Sequence, residues 1–419
     1  METMLFFKKG KFFEVYNEDA WIAMRLFGFK VTDRVNMAMA GFPESQMDKW
    51  CKRFMEVGYK VAVAQEASTA LAHQMGGGKG IVHRELTNVY TPGSLSGDLL
   101  VGDLAAYLMS IKEDPGTRRI GVCFADTATS EFNVCSFEDD ATYSQLETLL
   151  VQINPKELVI EKGGLSTDVQ RLLKIYAGNL VQNKLEAETQ SGFWTAEMAE
   201  HQLLMHEGLW KGPNNESGTE HWPKPVQEAT KDKVAMSAIG GLISYMETLL
   251  LVNRKKGDSI LLHSRFETYN AMGRGTRLML DGQTLQNLDI LQNSADGTEH
   301  GSLFALLCQT ATPFGRRLFR KWVCHPLKHA AEIEERYAAV DELDANRKGF
   351  REMLVGMLKR LPDLERSMSA IHMRRSKVDA ILKTMDAFQE IWDTLSEMQE
   401  AAAGLSPVLK SLLTIGGGQ

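Results

Sequence analysis

The sequence predicts a multidomain chain, α/β in its first two units and all-α in its third, and three observations lead there. At 419 residues the chain is longer than one ordinary core organises, because single cores stop growing near about 250–300 residues. Strand-like and helix-like apolar patterns alternate through its first half. From about residue 235 the pattern turns helical, and Val378, Ile381, Leu382, Met385, Phe388, Trp392 and Leu395 recur at three- and four-residue steps. That spacing draws one apolar stripe along a long helix and predicts that the stripe packs. The units expected are a small mixed α/β domain over 1–110, a second α/β domain over 111–234 and a helical domain over 235–419.

Within the first unit a strand is expected over 4–16, a helix near 18–28, a strand near 34–40, a helix over 46–57, and strands near 59–66 and 81–90. Ser45 with Asp48 three residues later resembles a capping box, and Trp50, Phe54 and Val57 supply the stripe behind it. GGGKG (76–80) reads as a turn, and Thr91-Pro92-Gly93 closes the last strand. In the second unit, IGVCFADTATSEFNVCSF (120–137) flanks a short polar break with two β-rich runs, as an antiparallel hairpin does. A helix near 142–151 and a strand over 158–163 follow. The Gly-, Pro-, Asn- and Ser-rich stretch 211–225 reads as a long exposed loop.

The net charge of −7 excludes a uniformly basic nucleic-acid coat, although a local patch can still bind phosphate. Five cysteines, at 51, 123, 135, 308 and 324, form no CxxC pair, which suits a reducing compartment and predicts no disulfide and no structural metal. No basic segment and cleavage site precede an apolar run. The run 235–252 is long enough to span a bilayer. Glu247, Ser237, Ser244 and Gly240-Gly241 argue instead for a helix buried between protein neighbours, so no membrane is expected.

The candidate site lies in Gly10-Lys11-Phe12-Phe13-Glu14-Val15-Tyr16. In a strand, side chains alternate, so Phe12 and Glu14 share one face while Phe13 and Val15 take the other. A ring can wedge between base steps, a carboxylate can accept from a displaced base, and Lys8, Lys9 and Lys11 can neutralise phosphates. An aromatic on a strand also serves plain core packing, and lysines beside a strand also serve as solvated surface.

The run LFFKKGKFFEVYNEDA (5–20), then NMAMAGFPE (36–44) and GYKVAVAQE (58–66), resembles the mismatch-binding domain of the MutS family of DNA mismatch repair proteins. The resemblance continues through GVCFADTATSEFNVCSF (121–137), LMLDGQTLQNLDI (278–290), TATPFGRRLFRKWVCHPL (310–327) and LPDLERSMSAIH (361–372), so it covers nearly the whole chain. It implies a mismatch-binding domain, a ribonuclease-H-like connector and part of a helical core and lever. By the same resemblance Phe12 is the wedge, Glu14 the residue that bonds a mispaired base, and Met39 lies near the minor groove, where a core role is the plainer alternative. Mismatched double-stranded DNA is the expected ligand, MutS homologue two the expected heterodimer partner, and the nucleus the expected location. The Gln65-Glu66 order departs from the Glu-Gln common in the family, which leaves that pair without an assigned role.

The family ATPase, with its ATP and Mg, is expected beyond residue 419. GGGKG lacks the GxxxxGK[ST] spacing of a phosphate-cradling loop, so no catalysis and no cofactor are expected in the chain itself. A rival reading makes the connector a two-metal nuclease using Asp126 and Glu161, with Glu147 as a further acid. A third makes the chain a structural helical partner. Pro326 breaks the spacing of His325 and His329 beside Cys324, which reads as a helix end, and His201 and His206 share no helical face.

Overall fold

The computed structural model describes residues 2–66, 84–95, 102–176, 180–187, 189–206, 209–211, 218–252, 260–273, 277–345, 349–400 and 407–413. The turn expected at 76–80 and residues 212–217 of the exposed loop expected over 211–225 lie outside these residues. The rest of that stretch is not an exposed loop, because Thr219–His221 form a 3-10 turn, Trp222 is buried in the apolar core and a helix begins at Lys224. Gly10 takes a φ of +59°, and this folds the run expected as a single strand over 4–16 back on itself. The result is a hairpin of β1 (Thr3–Lys9) and β2 (Phe12–Tyr16), with Lys9 opposite Phe12 and Phe7 opposite Glu14.

Helix α1 (Asn17–Phe27) follows at once and ends at Gly28, whose φ of 71° is the left-handed cap that glycine adopts without penalty. The strand expected near 34–40 is a second hairpin, β3 (Thr32–Arg34) and β4 (Met37–Pro43). Val35 and Asn36, both at positive φ, make its two-residue turn. Helix α2 (Met47–Glu56) is preceded by a short 3-10 turn and has Gln46 at its N-cap, with no side-chain capping bond. Ser45 therefore lies inside that turn, one residue too early to cap. Strands β5 (Lys60–Glu66) and β6 (Arg84–Tyr90) complete a sheet ordered β3-β4-β2-β1-β5-β6, in which only β1 and β5 run parallel. Met4, Phe6, Phe13, Val15, Phe42, Val61 and Val63 share one core with Ala20, Ala23, Cys51 and Phe54 of the two helices. Both helices cover the same face of the sheet, and among the described residues no helix covers the other face.

The second sheet runs β11-β10-β7-β8-β9-β12. Its strands are β7 (Tyr107–Asp114), β8 (Arg119–Asp126), β9 (Glu131–Glu138), β10 (Glu157–Glu161), β11 (Val181–Leu185) and β12 (Arg265–Thr268). The expected hairpin is β8–β9, paired from Arg119–Glu138 to Asp126–Glu131. Helices α3 (Ser144–Ile153) and α4 (Thr167–Tyr176) pack on one face, over Met109, Ile111, Val122, Phe124 and Ile160. On the reverse, α5 (Ala196–Met205), α6 (Lys224–Ala229) and α7 (Lys233–Thr248) cover Leu108, Cys123, Ala125, Phe132 and Val159. Burial is near-continuous along the central strands, successive side chains entering opposite cores, as in a sheet covered on both sides.

The apolar run from 235 is α7, buried from Val234 to Met246 against this sheet. No helix among the described residues is long and apolar enough to cross a membrane. Although α7 was expected to open the helical unit, it and β12 belong to the layers of the second sheet, because β12 pairs with β9 in register. Gly121 is what lets α7 approach: a Cβ there would stand 2.2 Å from the Val234 carbonyl oxygen. Gly121→Ala is expected to cost about 2 kcal/mol of stability through this backbone clash, measurable by denaturant unfolding.

The remaining helices are α8 (Gly282–Asn287), α9 (Leu303–Leu307), α10 (Pro313–Cys324), α11 (Ala330–Asp344), α12 (Phe350–Leu358), α13 (Leu364–His372), α14 (Val378–Glu400) and α15 (Pro407–Leu413). Helix α10 has Thr312 as N-cap, Pro313 in its first turn and His325 at its C-cap, so the helix end read at Cys-His-Pro-Leu is present. Most of the stripe expected to pack along α14 does not, with only Ile381 and Leu395 of its members half-buried. Helix α14 instead uses a neighbouring stripe, burying Thr384, Ala387 and Met398 and half-burying Ile391 and Leu395. Val378, Leu382, Met385, Phe388 and Trp392 stay exposed. The helix carries two apolar stripes, and sequence periodicity does not say which one meets a neighbour.

Two polar junctions join the units. Glu157, fully buried at the start of β10, accepts at Oε2 from the Thr91 hydroxyl (2.5 Å) and the Gly93 N–H (3.1 Å). Its Oε1 accepts from the Asn183 amide (2.7 Å) and the Tyr245 hydroxyl (2.5 Å). Lys60, first residue of β5, donates to Asn183 Oδ1 and to the Tyr245 oxygen at 2.8 and 2.9 Å. The first sheet and the second thus share one buried network.

At the other junction Arg317 of α10 makes a bidentate pair with Asp363 (2.7 and 2.8 Å), reaches Glu365 (2.7 Å), and donates to the Asp103 carbonyl (3.0 Å). Burial alone would raise the Asp363 pKa, but the Arg317 hydrogen bonds and charge outweigh it and hold it below the usual value. A carboxyl depressed in the folded state contributes stability above its unfolded pKa and loses it as pH falls through the folded one. This junction is expected to weaken on acidification below about pH 4. Asp363→Asn is expected to remove about 2 kcal/mol at neutral pH and to flatten that acid limb in a series of unfolding curves.

Candidate nucleic-acid interface

Strand β2 sends Phe12, Glu14 and Tyr16 to the open face of the first sheet, while Phe13 and Val15 are fully buried on the helix side. Cross-strand register completes that face. Lys9 and Phe7 of β1 stand beside Phe12 and Glu14, and Pro43, Gly41 and Met39 of β4 stand opposite Phe12, Glu14 and Tyr16. Beyond them, Arg34 of β3 pairs with Met37.

Phe12 is 52% exposed at the hairpin end, an unusual place for a ring with a core so close. Two residues on, Glu14 is only 9% exposed. Its Oε1 accepts from Arg34 Nη1 at 2.9 Å, its Oε2 from the Tyr16 hydroxyl, and the Lys9 ammonium stands 3.9 Å away. Burial first, then the bond to Glu14 and its charge, push the Tyr16 hydroxyl up to about 12, so it remains a donor throughout the physiological range. Tyr16 is in turn set edge-on to Phe7 (5.9 Å between centroids), and the Arg84 guanidinium lies 4.9 Å from the Phe7 ring. Gly41 makes room: a Cβ there would sit 2.9 Å from the Phe13 carbonyl oxygen and 3.8 Å from Glu14 Cγ.

Of the residues picked out from sequence, Phe12, Glu14, Lys9 and the half-buried Met39 come together on this face. Lys11 is exposed in the hairpin turn beside Phe12. Lys8 does not join them. It pairs with Phe13 in register, so it points to the helix-covered side, and its ammonium is bound by Glu44. Sequence reasoning missed Tyr16, which the period of two alone would have placed with Glu14. It also missed Arg34 and Arg84, which only strand register brings in. The resulting arrangement is an exposed ring inside a cationic rim, next to an acceptor already held by two donors and faced by the Lys9 ammonium.

The carboxylates of the nuclease reading are not brought together. Asp126 pairs with Tyr107 at the start of β7, whereas Glu161 ion-pairs with Lys112 near the end of β7, five residues further along. At about 3.3 Å per residue that is roughly 16 Å of strand, too far for two acids to share metal ions. Asp126 is buried and accepts from the Ala128 N–H at 3.0 Å, and Glu147 accepts from Tyr176 at 2.6 Å. No group of three metal-ligating side chains occurs among the described residues. His325 meets Tyr269 at 3.1 Å as the end of α10, as its helix-end reading requires.

Comparison with known proteins matches three successive stretches of the chain. Residues 1–98 match MutS domain I, residues 106–256 MutS domain II and residues 283–414 MutS domain III. The DNA mismatch repair protein MSH6 of Saccharomyces cerevisiae is 36% identical over 96% of this chain and 33% of its own length. Msh6 of Homo sapiens is 28% identical over 99% of this chain and 35% of its own. The bacterial MutS of Chlorobium chlorochromatii is 28% identical over 98% of this chain and 44% of its own. The chain spans about a third of the length of the MSH6 relatives it matches. With domains I, II and III matched in order along it, the chain belongs to the MutS family and is MSH6-like.

Proposed function

We propose that this chain reads mispaired duplex DNA through the open face of its first sheet, in DNA mismatch repair. The observation that carries the reading is the contrast along β2, a half-exposed Phe12 two residues from a nearly buried Glu14. Phe12 is the wedge. Unstacking a base step costs about a few kcal/mol, and a mispair, already poorly stacked, is cheaper to kink, so recognition is of deformability rather than sequence. Glu14 accepts a hydrogen bond from the displaced base, a donor that matched DNA keeps engaged. Lys9 and Lys11 contact flanking phosphates, and Met39 lines the groove side of the face. Lys8, engaged by Glu44 on the covered face, is left out of this set.

The names of the MSH6 relatives, all DNA mismatch repair proteins, support this reading. In the same reading the chain works in the nucleus, in a heterodimer with MutS homologue two, and the ATP and Mg chemistry of the family resides outside domains I–III. Fluorescence-anisotropy titration at low salt of a G·T-mismatched duplex against its matched control tests it. The expected result is tighter binding of the mismatch, and equal binding of both duplexes would count against the reading.

A further inference from the structure

We propose that Tyr16 and Arg34 are positioning residues for Glu14, holding its carboxylate at the depth and angle from which it selects a mispair. The inference rests on the role given to Glu14 above and adds to it a division of labour between its two donors.

Both carboxylate oxygens are occupied without DNA, Oε1 by Arg34 at 2.9 Å and Oε2 by Tyr16, and the donors come from different strands of the sheet. A carboxylate has about four lone-pair sites, so two bonds fix its direction and still leave capacity for a base donor. The two donors differ in charge, and so in consequence. Arg34, its side chain 41% exposed, offsets a negative charge that would otherwise face phosphates of every sequence. Tyr16 is neutral and packed against Phe7, so it adds no net charge and acts by aiming. Gly41, directly opposite, keeps the approach to the carboxylate clear on the β4 side. Tyr16 therefore governs selectivity, and Arg34 governs affinity for all duplexes.

The experiment is a double-mutant cycle in the full chain, titrating G·T-mismatched and matched duplexes against Tyr16→Phe and Arg34→Gln, each with Glu or Gln at position 14. Tyr16→Phe is expected to lower the mismatch-to-match ratio about fivefold, with matched-duplex affinity nearly unchanged. Arg34→Gln is expected to weaken both duplexes about tenfold, with recovery in Arg34→Lys. Both effects should largely vanish when residue 14 is Gln. Effects of full size in that background would show Tyr16 and Arg34 acting on DNA themselves, which overturns the proposal and leaves the role of Glu14 standing. If Glu14→Gln alone leaves the ratio unchanged, the role of Glu14 fails and the proposal falls with it. In the DNA-free chain, the Glu14 13C-carboxyl resonance, assigned by its loss in Glu14→Gln, is expected to move in Tyr16→Phe. An unmoved resonance also overturns the proposal.

Discussion

Phe12→Ala is expected to erase mismatch preference while leaving the protein folded. Phe12 is 52% exposed and absent from the aromatic core of the first sheet, where Phe6, Phe13 and Phe42 pack together. Its loss should change unfolding stability by less than about 0.5 kcal/mol, as for a surface substitution. Binding should respond differently. Without the ring nothing fills an opened base step, so the easier deformation of a mispair brings no advantage, and the mismatch-to-match affinity ratio should fall by at least about tenfold toward unity. Phe13→Ala is the control. That ring is fully buried, so about 3–5 kcal/mol of stability should be lost first, and any loss of binding would follow unfolding. A retained preference in well-folded Phe12→Ala protein would remove the wedge from the mechanism.

The second large effect belongs to Glu157. Glu157→Ala would leave the Thr91 hydroxyl, the Gly93 N–H, the Asn183 amide and the Tyr245 hydroxyl without their shared acceptor in a buried site. Orphaning buried donors and leaving a cavity together should cost about 4 kcal/mol. Lys60 sharpens the effect. Burial lowers its pKa and the Glu157 charge works in the opposite direction, so removing Glu157 leaves its ammonium less supported. Scanning calorimetry should then resolve an earlier transition for the first sheet, separated from that of the second. Glu157→Gln, which keeps one oxygen acceptor but sets an NH2 against two donors, should fall between wild type and Glu157→Ala. A single unshifted transition in Glu157→Ala would mean the network contributes nothing to joining the units.

Much of this architecture was legible in the sequence because local periodicity dictates it. The Phe12/Phe13 division, the β8–β9 hairpin, the approximate extents of α1 and α2 and the end of α10 at Cys324-His325-Pro326 follow from spacing and local residue types, although the Ser45 cap does not. Turns made by residues that do not announce them were harder. Val35 and Asn36 turn a hairpin without glycine, and Gly10 was read as an interior strand residue. Strand β7, nearly all buried, shows no alternation, and β11 and β12 are short edge strands whose identity comes from their partners. The same holds at the candidate site. Phe12 and Glu14 stand in one segment, but Arg34 reaches Glu14 from 20 residues away, a proximity set by strand pairing.

The pairing of β1 with both β2 and β5 has a mechanical consequence. Lys9 lies against Phe12 at one end of β1, and Thr3 lies against Lys60 at the other. Strand β1 thus links the strand that carries the ring to the strand whose first residue, Lys60, donates to Asn183 and Tyr245. If the proposed wedge kinks a duplex, the load on the first sheet would reach the second at two neighbouring places, the Lys60 ammonium and the Thr91 and Gly93 bonds to Glu157, which would make the first sheet a strain gauge clamped at one end.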